Sequence, residues 1–171
     1  IGFMFGAGGS ALVAKTLGEK NREKANKIFS LIIVTALVLG FALSTVGNLL
    51  IKNIAFLLGA RGELLRLSTV YGRILLISMP FFMLQNIFQS FFVTAEKPKL
   101  GLAVTLAAGV TNIVLDAVFV GVLRWGLAGA GAATAISQLV GGMIPLVYFL
   151  APNPTVLRLR KFRFDAKALL R

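Results

Sequence analysis

Long apolar stretches without a charged residue, separated by short charged segments, form the main pattern along this chain. Uncharged runs cover residues 28–51, 74–95 and 125–157, and a fourth run at 100–123 is interrupted only by Asp116. A helix needs roughly 20 mostly apolar residues to cross the hydrocarbon core of a bilayer. All four runs are long enough, so the pattern predicts an all-α fold, a polytopic bundle of transmembrane helices.

A fifth uncharged run, residues 1–14, is too short to cross a bilayer as it stands. It also lacks the basic n-region and the initiator Met of a signal peptide. We therefore expect the chain to begin inside a helix and to be a fragment of a longer protein. The predicted spans are about 1–17 (partial), 28–51, 70–94, 100–122 and 127–150. Residues 1–150 would form a partial transmembrane lobe, and residues 151–171 a basic cytoplasmic connection.

The composition narrows the possible classes of protein. Of 171 residues, 57% are hydrophobic and only 14% are charged, against about a quarter charged in a soluble domain. The chain contains neither His nor Cys. Zinc sites of the usual kind, thiol catalysis, Ser-His-Asp triads and disulfide frameworks therefore have no residues from which to be built.

The positive charge is distributed unevenly between the two sides of the predicted bundle. The formal net charge is +12, and most Lys and Arg residues lie in 15–27, 96–99 and 151–171, which share one side if the spans alternate in direction. The opposite side holds few of them: Lys52, Arg61, Arg66 and Arg124. The positive-inside rule therefore predicts that the first three segments are cytoplasmic in a multi-pass protein of the plasma (cytoplasmic) membrane.

A strongly basic chain can also indicate a nucleic-acid binder. Here the basic residues are spread over separate loops beside hydrophobic spans, and topology and attraction to anionic lipid explain them better. The sequence therefore predicts membrane lipid, and no nucleic acid, as a partner.

Asp116 is the only acidic residue within a predicted span. A carboxylate at mid-membrane costs about 3 kcal/mol on insertion scales, so it normally faces a protein interior or a water cavity. Asn112 lies one turn before it on the same face, in a small polar stripe that begins at Thr105 and Gly109. Such a carboxylate can exchange a proton, or bind a hard cation such as sodium together with the amide oxygen. The alternative is an Asp that only hydrogen-bonds a neighbouring helix or touches water near the end of its span.

Polar side chains in two other spans are candidates for lining a substrate cavity. Gln85 and Gln89 share one face of the 70–94 span, and Thr134 and Gln138 share a face of the last span. Buried amides can line a substrate path, or they can bind helices together for roughly 1 kcal/mol each. Small residues on an adjacent face of the last span should let another helix approach closely; they are Gly126, Ala130, Ala133 and Ser137.

Several ordered motifs are similar to those of one transporter family. They are GGSALVAKTLG at 8–18 with the basic segment 19–27 after it, LLGA at 57–60, Tyr71 with Pro80-Phe81, EKPK at 96–99, NIVLD at 112–116 followed by Phe119, and GLAGAGAAT at 126–134. Together they cover nearly the whole chain, and their order resembles the MATE family, the multidrug and toxic compound extrusion transporters.

The resemblance implies a fold of twelve transmembrane helices in two six-helix lobes around a central cavity. This chain would correspond to the end of helix 2 through helix 6 of the amino-terminal lobe. It implies export of organic cations and other drugs in exchange for protons or sodium. Asn112 and Asp116 would belong to the ion-linked site. Helix 1, which contributes a further Asp to that site, and the second lobe are missing from this sequence and would be partners from the same protein.

Three other functions are alternatives to a MATE-type exporter. A lipid-linked oligosaccharide or lipid flippase of the same superfamily usually needs several cationic residues in its cavity, and the spans carry only Arg73, at an edge. A membrane enzyme needs clustered Asp or His residues to hold metal and act as a base, and one intramembrane Asp is too few. A structural subunit would leave Asp116 dispensable. The sequence therefore predicts no enzyme activity, no resident metal and no cofactor beyond the coupling ion.

Overall fold

The computed structural model describes residues 2–152 and 155–159, and this part of the chain is helical with no β-strand. The helices are α1 (Gly2–Gly18), α2 (Arg22–Leu57), α3 (Gly62–Thr94), α4 (Pro98–Asp116), a π-helical segment (Ala117–Val122) that continues α4, and α5 (Gly126–Leu150). Four stretches are long and apolar enough to cross a membrane: Arg22–Leu57, Gly62–Thr94, Pro98–Val122 and Gly126–Leu150. The predicted all-α transmembrane bundle is confirmed.

The helices α2 and α3 extend well beyond the apolar runs that predicted them. Asn21 caps α2, because its side-chain oxygen accepts a hydrogen bond from the Lys24 backbone N–H at 3.0 Å. The first turns of α2 are then charged, with Lys27 and Glu23 paired at 3.0 Å one turn apart. Hydropathy marks only the part of a helix that lies in lipid, so it misses such polar end turns.

Helix α3 is the centre of the bundle and packs against α1, α2, α4 and α5. One end of the bundle is held by fully buried aromatic rings from three helices: Phe29 of α2, Phe88 and Phe91 of α3, and Phe149 of α5. Ring centroids lie 4.6 Å apart for Phe29 and Phe91, and 5.6 Å apart for the stacked pair Phe88 and Phe149. Such pairs add about 0.5–1.5 kcal/mol each beyond the apolar area they bury.

Glycines let the middle of α3 approach its neighbours at backbone distance. Helix α3 continues through Pro80, and a Cβ placed on Gly40 of α2 would lie 2.9 Å from the Pro80 Cα. A Cβ on Gly142 of α5 would lie 2.7 Å from the Phe81 carbonyl oxygen. Neither distance leaves room for a side chain, so α2 and α5 each approach the backbone of α3 closely here.

The small-residue face predicted for the last span differs in part from the packing face of α5. Ala133 and Ser137 are buried as predicted, Ala130 is half-buried, and Gly126 is exposed. Gly126 starts α5 with a φ of 56°, so its role is to let the chain turn into the helix. Glycines that the prediction left out are also buried on this helix, namely Gly129, Gly131, Gly141 and Gly142.

Candidate functional site

Asn112 and Asp116 lie one turn apart at the end of α4, and both residues are half-buried. The Asn112 Nδ2 and the Asp116 Oδ1 are each shielded from solvent and have no hydrogen-bond partner in the described part of the chain. They are the only buried side-chain nitrogen or oxygen atoms of which this is true among the described residues. Two polar atoms without a partner among the described residues therefore lie one turn apart on α4.

Unsatisfied buried polar atoms are costly. Leaving a buried donor or acceptor without a partner costs about 1–3 kcal/mol, and more for a charged group. Rotation of the Asn112 amide would present its oxygen in place of its nitrogen, so the pair can offer two oxygen atoms, or a donor and an acceptor. A proton on Asp116 or a hard cation between the two side chains would satisfy this arrangement.

The backbone changes its hydrogen-bond pattern immediately after Asp116. The segment Ala117–Val122 is π-helical, and the Leu123 N–H donates to the Val118 carbonyl, five residues back, at 2.8 Å. Such π-helical turns are rare in proteins overall, but those that occur often lie at functional sites. The α-to-π junction thus coincides with the one acidic residue of the predicted spans, and no residue pattern in the sequence pointed to it.

The polar stripe that leads to Asp116 differs along its length. Thr105 is engaged, because the Gln89 Nε2 donates to its Oγ1 at 2.6 Å and links α3 to α4. Gly109 faces open space, with no atom within 4 Å of a Cβ placed on it. The stripe is therefore tied to α3 at Thr105 and is open at Gly109.

The predicted cavity residues Gln85, Gln138 and Thr134 have different surroundings. The Gln138 Oε1 lies 2.7 Å from the Oγ of buried Ser78, which links α5 to α3. Gln85 packs over Gly141, where a Cβ would lie 2.6 Å from its Cδ. In the described part of the chain, the Gln85 amide makes no hydrogen bond to protein.

Thr134 is half-buried, and its backbone carbonyl accepts the Ser137 hydroxyl at 2.8 Å. Among the described residues, no hydrogen bond joins Thr134 or any of the three candidate glutamines to Asn112 or Asp116. Asn112 and Asp116 thus lie one turn apart on α4, and in the described part of the chain no hydrogen bond connects them to the four candidate cavity residues.

The Asp116 carboxylate has no counter-ion among the described residues. The ion pairs there are Lys27 with Glu23 and Arg66 with Glu63, all on exposed side chains. Arg73 is exposed on α3. In residues 2–152 and 155–159, moreover, no three His, Cys, Asp or Glu side chains lie close enough together to hold a metal ion.

Comparison with known proteins identifies the family. The family model MatE matches residues 1–118, a range that includes Asn112 and Asp116. The multidrug export protein MepA of Staphylococcus saprophyticus is 33% identical over 156 residues, which cover 91% of this chain and 35% of the relative. MepA of Staphylococcus haemolyticus is 31% identical over 155 residues, with 34% of its length covered. The chain thus spans about a third of the length of the curated relatives it matches.

Solved structures share the fold. A crystal structure of MATE in the bent conformation superposes with a TM-score of 0.89 at 24% identity, covering 98% of this chain and 38% of that one. An inward-facing multidrug resistance MATE family transporter of the MOP superfamily gives a TM-score of 0.86 at 23% identity. The match covers 93% of this chain and 36% of that one. With the family model matching well over half of its residues, this integral membrane protein belongs to the MATE family of transporters.

Proposed function

We propose that this chain is part of a secondary active exporter of drugs and organic cations, an antiporter driven by a proton or sodium gradient. The observation that carries the proposal is the pair of buried, unsatisfied atoms on Asn112 and Asp116. They lie in a helix of the MATE fold that has no other acidic residue. Transport by alternating access needs two halves, so the proposal concerns the whole transporter of which this chain is part.

The ion would act by changing the charge and the contacts of Asp116. Without the ion, the carboxylate would be partly desolvated, with one buried oxygen that has no partner among the described residues, which is the costly state. Binding of a proton or a sodium ion removes that cost, and the Asn112 amide would orient the carboxylate and supply the second polar group. A conformation that binds the ion better is then favoured by its presence, which links the ion gradient to the direction of the cycle.

Gln85 is the strongest of the candidate substrate contacts. The amides of Gln89 and Gln138 are engaged with Thr105 and Ser78, whereas the Gln85 amide has no partner in the described part of the chain. A free amide can accept a hydrogen bond from a cationic drug without first breaking a contact between helices. The MepA relatives are named as multidrug export proteins, which supports drugs as the substrates.

The charge pattern supports one orientation in the plasma membrane. Basic residues concentrate in 15–27, 96–99 and 151–171, and we propose that these segments face the cytoplasm. The membrane-spanning part within 1–150 would belong to the amino-terminal lobe, with helix 1 and the second lobe supplied by the same protein.

Drug susceptibility of cells that express the full-length transporter tests this function. We expect Asp116→Asn to reduce drug resistance to the level of cells without the transporter, while the variant reaches the membrane in wild-type amounts. Glu96→Gln is the matched control, because it removes an exposed carboxylate between α3 and α4 and should leave resistance unchanged. Wild-type resistance in cells expressing Asp116→Asn would contradict the proposal.

A further inference from the structure

The chain folds back onto the bundle after α5. The Leu159 N–H donates to the Phe149 carbonyl at 2.9 Å, which pairs this segment with the last turn of α5. Leu157 is fully buried and belongs to the same apolar cluster as Phe29 and Phe88. Thr155 is also buried, and its hydroxyl donates to the Leu157 carbonyl at 3.0 Å. Residues 155–159 are thus packed against the protein at the end of the bundle that holds the aromatic cluster.

One side chain from a distant part of the sequence fixes this segment. Asn26, in the second turn of α2, is only 8% exposed, and its Oδ1 accepts the Arg158 backbone N–H at 2.8 Å. A buried amide on a helix is costly unless it is bonded, so its bond to a segment 132 residues away explains why a polar residue occupies this position. The sequence predicted a basic cytoplasmic connection here, and its contacts were not part of that prediction.

We propose that residues 155–159 form a clasp, and that Asn26 is the positioning residue that holds it on α2. The clasp fixes the position of residues 155–159 on the α1–α5 bundle. In a transporter whose halves move as rigid bodies, a connecting segment held firmly on one half passes that half's displacement to the other. A loosely held segment absorbs part of the displacement. This consequence for transport rests on the proposed function; the clasp itself does not.

The clasp is separate from the ion site. The aromatic end of the bundle, where the clasp packs, meets the start of α4, because Gly101 lies against Phe92. Asn112 and Asp116 lie at the other end of α4, roughly 16–22 Å further along the helix at about 1.5 Å per residue. Loosening the clasp should therefore change how fast the transporter turns over and leave ion and drug binding as they are.

Cysteine labelling tests whether the clasp exists, because this sequence has no cysteine. In a cysteine-free background of the full-length transporter in native membranes, Leu157→Cys should react slowly with a membrane-permeant maleimide. Arg158→Cys is the control: its side chain is exposed and its backbone N–H can still bind Asn26, so it should react fast. Equal rates for the two cysteines would overturn the clasp.

Two substitutions at Asn26 test its role. Only the side-chain oxygen of Asn26 bonds within the described residues, so Asp keeps the acceptor and Ala removes it. Asn26→Ala should speed the labelling of Leu157→Cys about five- to tenfold, because the reaction follows the open population. Asn26→Asp should label as slowly as the parent. Equal labelling of the Ala variant and the parent would overturn the role of Asn26.

Export kinetics add a second readout. Asn26→Ala should lower the kcat of drug export and leave KM unchanged, with Asn26→Asp restoring kcat. A raised KM with unchanged kcat would contradict a positioning role. If the wild-type protein exports no drug, the proposed function fails, and the labelling rates still decide whether Asn26 holds the clasp.

Discussion

Substitution of Gly142 by Ala tests the close backbone contact between α3 and α5. A Cβ on Gly142 would lie 2.7 Å from the Phe81 carbonyl oxygen and 3.2 Å from the Phe81 Cα. These are backbone atoms, so no side-chain rotation relieves the overlap. Ordinary van der Waals contact begins at 3.4 Å, and the two helices must therefore separate locally by about 0.7 Å.

The cost of that separation follows from the packing around it. Forcing an extra methyl group into a packed contact costs about 1–3 kcal/mol. Alanine recovers up to about 1 kcal/mol through its higher helix propensity. Since Gly8→Ala gains the same propensity without the overlap, we expect Gly142→Ala to be about 1–3 kcal/mol less stable than Gly8→Ala. The loss should appear as a lower Tm of the full-length transporter in detergent, measured as loss of the monodisperse chromatography peak on heating.

Gly8→Ala is the matched control for this measurement. Gly8 lies within α1, is exposed, and has no atom within 4 Å of a Cβ placed on it. The same substitution there should leave Tm unchanged or raise it slightly. A Gly142→Ala variant as stable as Gly8→Ala would refute the backbone contact between α3 and α5.

Three further predictions follow from contacts and charge. Ser78→Ala removes the hydrogen bond to Gln138 and should lower stability by about 1 kcal/mol in a thermal melt; an unchanged Tm would show that the bond contributes nothing. Phe149→Ala empties the centre of the aromatic cluster and should cost about 3–5 kcal/mol, seen as low yield of folded protein, and near-normal yield would contradict that cluster. A cysteine replacing Arg124 should react with an impermeant reagent added outside the cell, and one replacing Lys97 should not; the reverse result would invert the proposed orientation.

The helices could be predicted from sequence because each depends on a local signal. The uncharged runs gave α2 to α5 their apolar centres, and the structure adds the Asn21 cap on the charged first turn of α2. The charged first turns of α2 and α3 lay outside those runs, since hydropathy does not register a helix that continues into water.

Contacts between helices could not be predicted in the same way. Helical periodicity shows which residues share a face, but not which neighbour that face meets. Gln85, Gln89 and Gln138 were equivalent candidates in the sequence, and only the packing of α3 against α4 and α5 separates the free amide from the two bonded ones. The bond from Arg158 to Asn26 joins parts of the chain that no local pattern connects.

The arrangement of Asn112 and Asp116 could be predicted in part. Their spacing on one helix face followed from the sequence alone, and the structure adds that each has a buried atom without a partner among the described residues. The π-helical turn after Asp116 had no sequence signal, because its Val, Phe and Gly residues do not favour that turn over an ordinary helix.

Drug movement in proteoliposomes tests the role of Asp116 most directly. Full-length wild-type transporter should accumulate drug against its concentration gradient when a proton or a sodium gradient is applied. Asp116→Asn should bind drug with wild-type affinity and let it move down its own gradient, but show no uphill accumulation with either ion. Uphill accumulation by Asp116→Asn at the wild-type level would contradict the account.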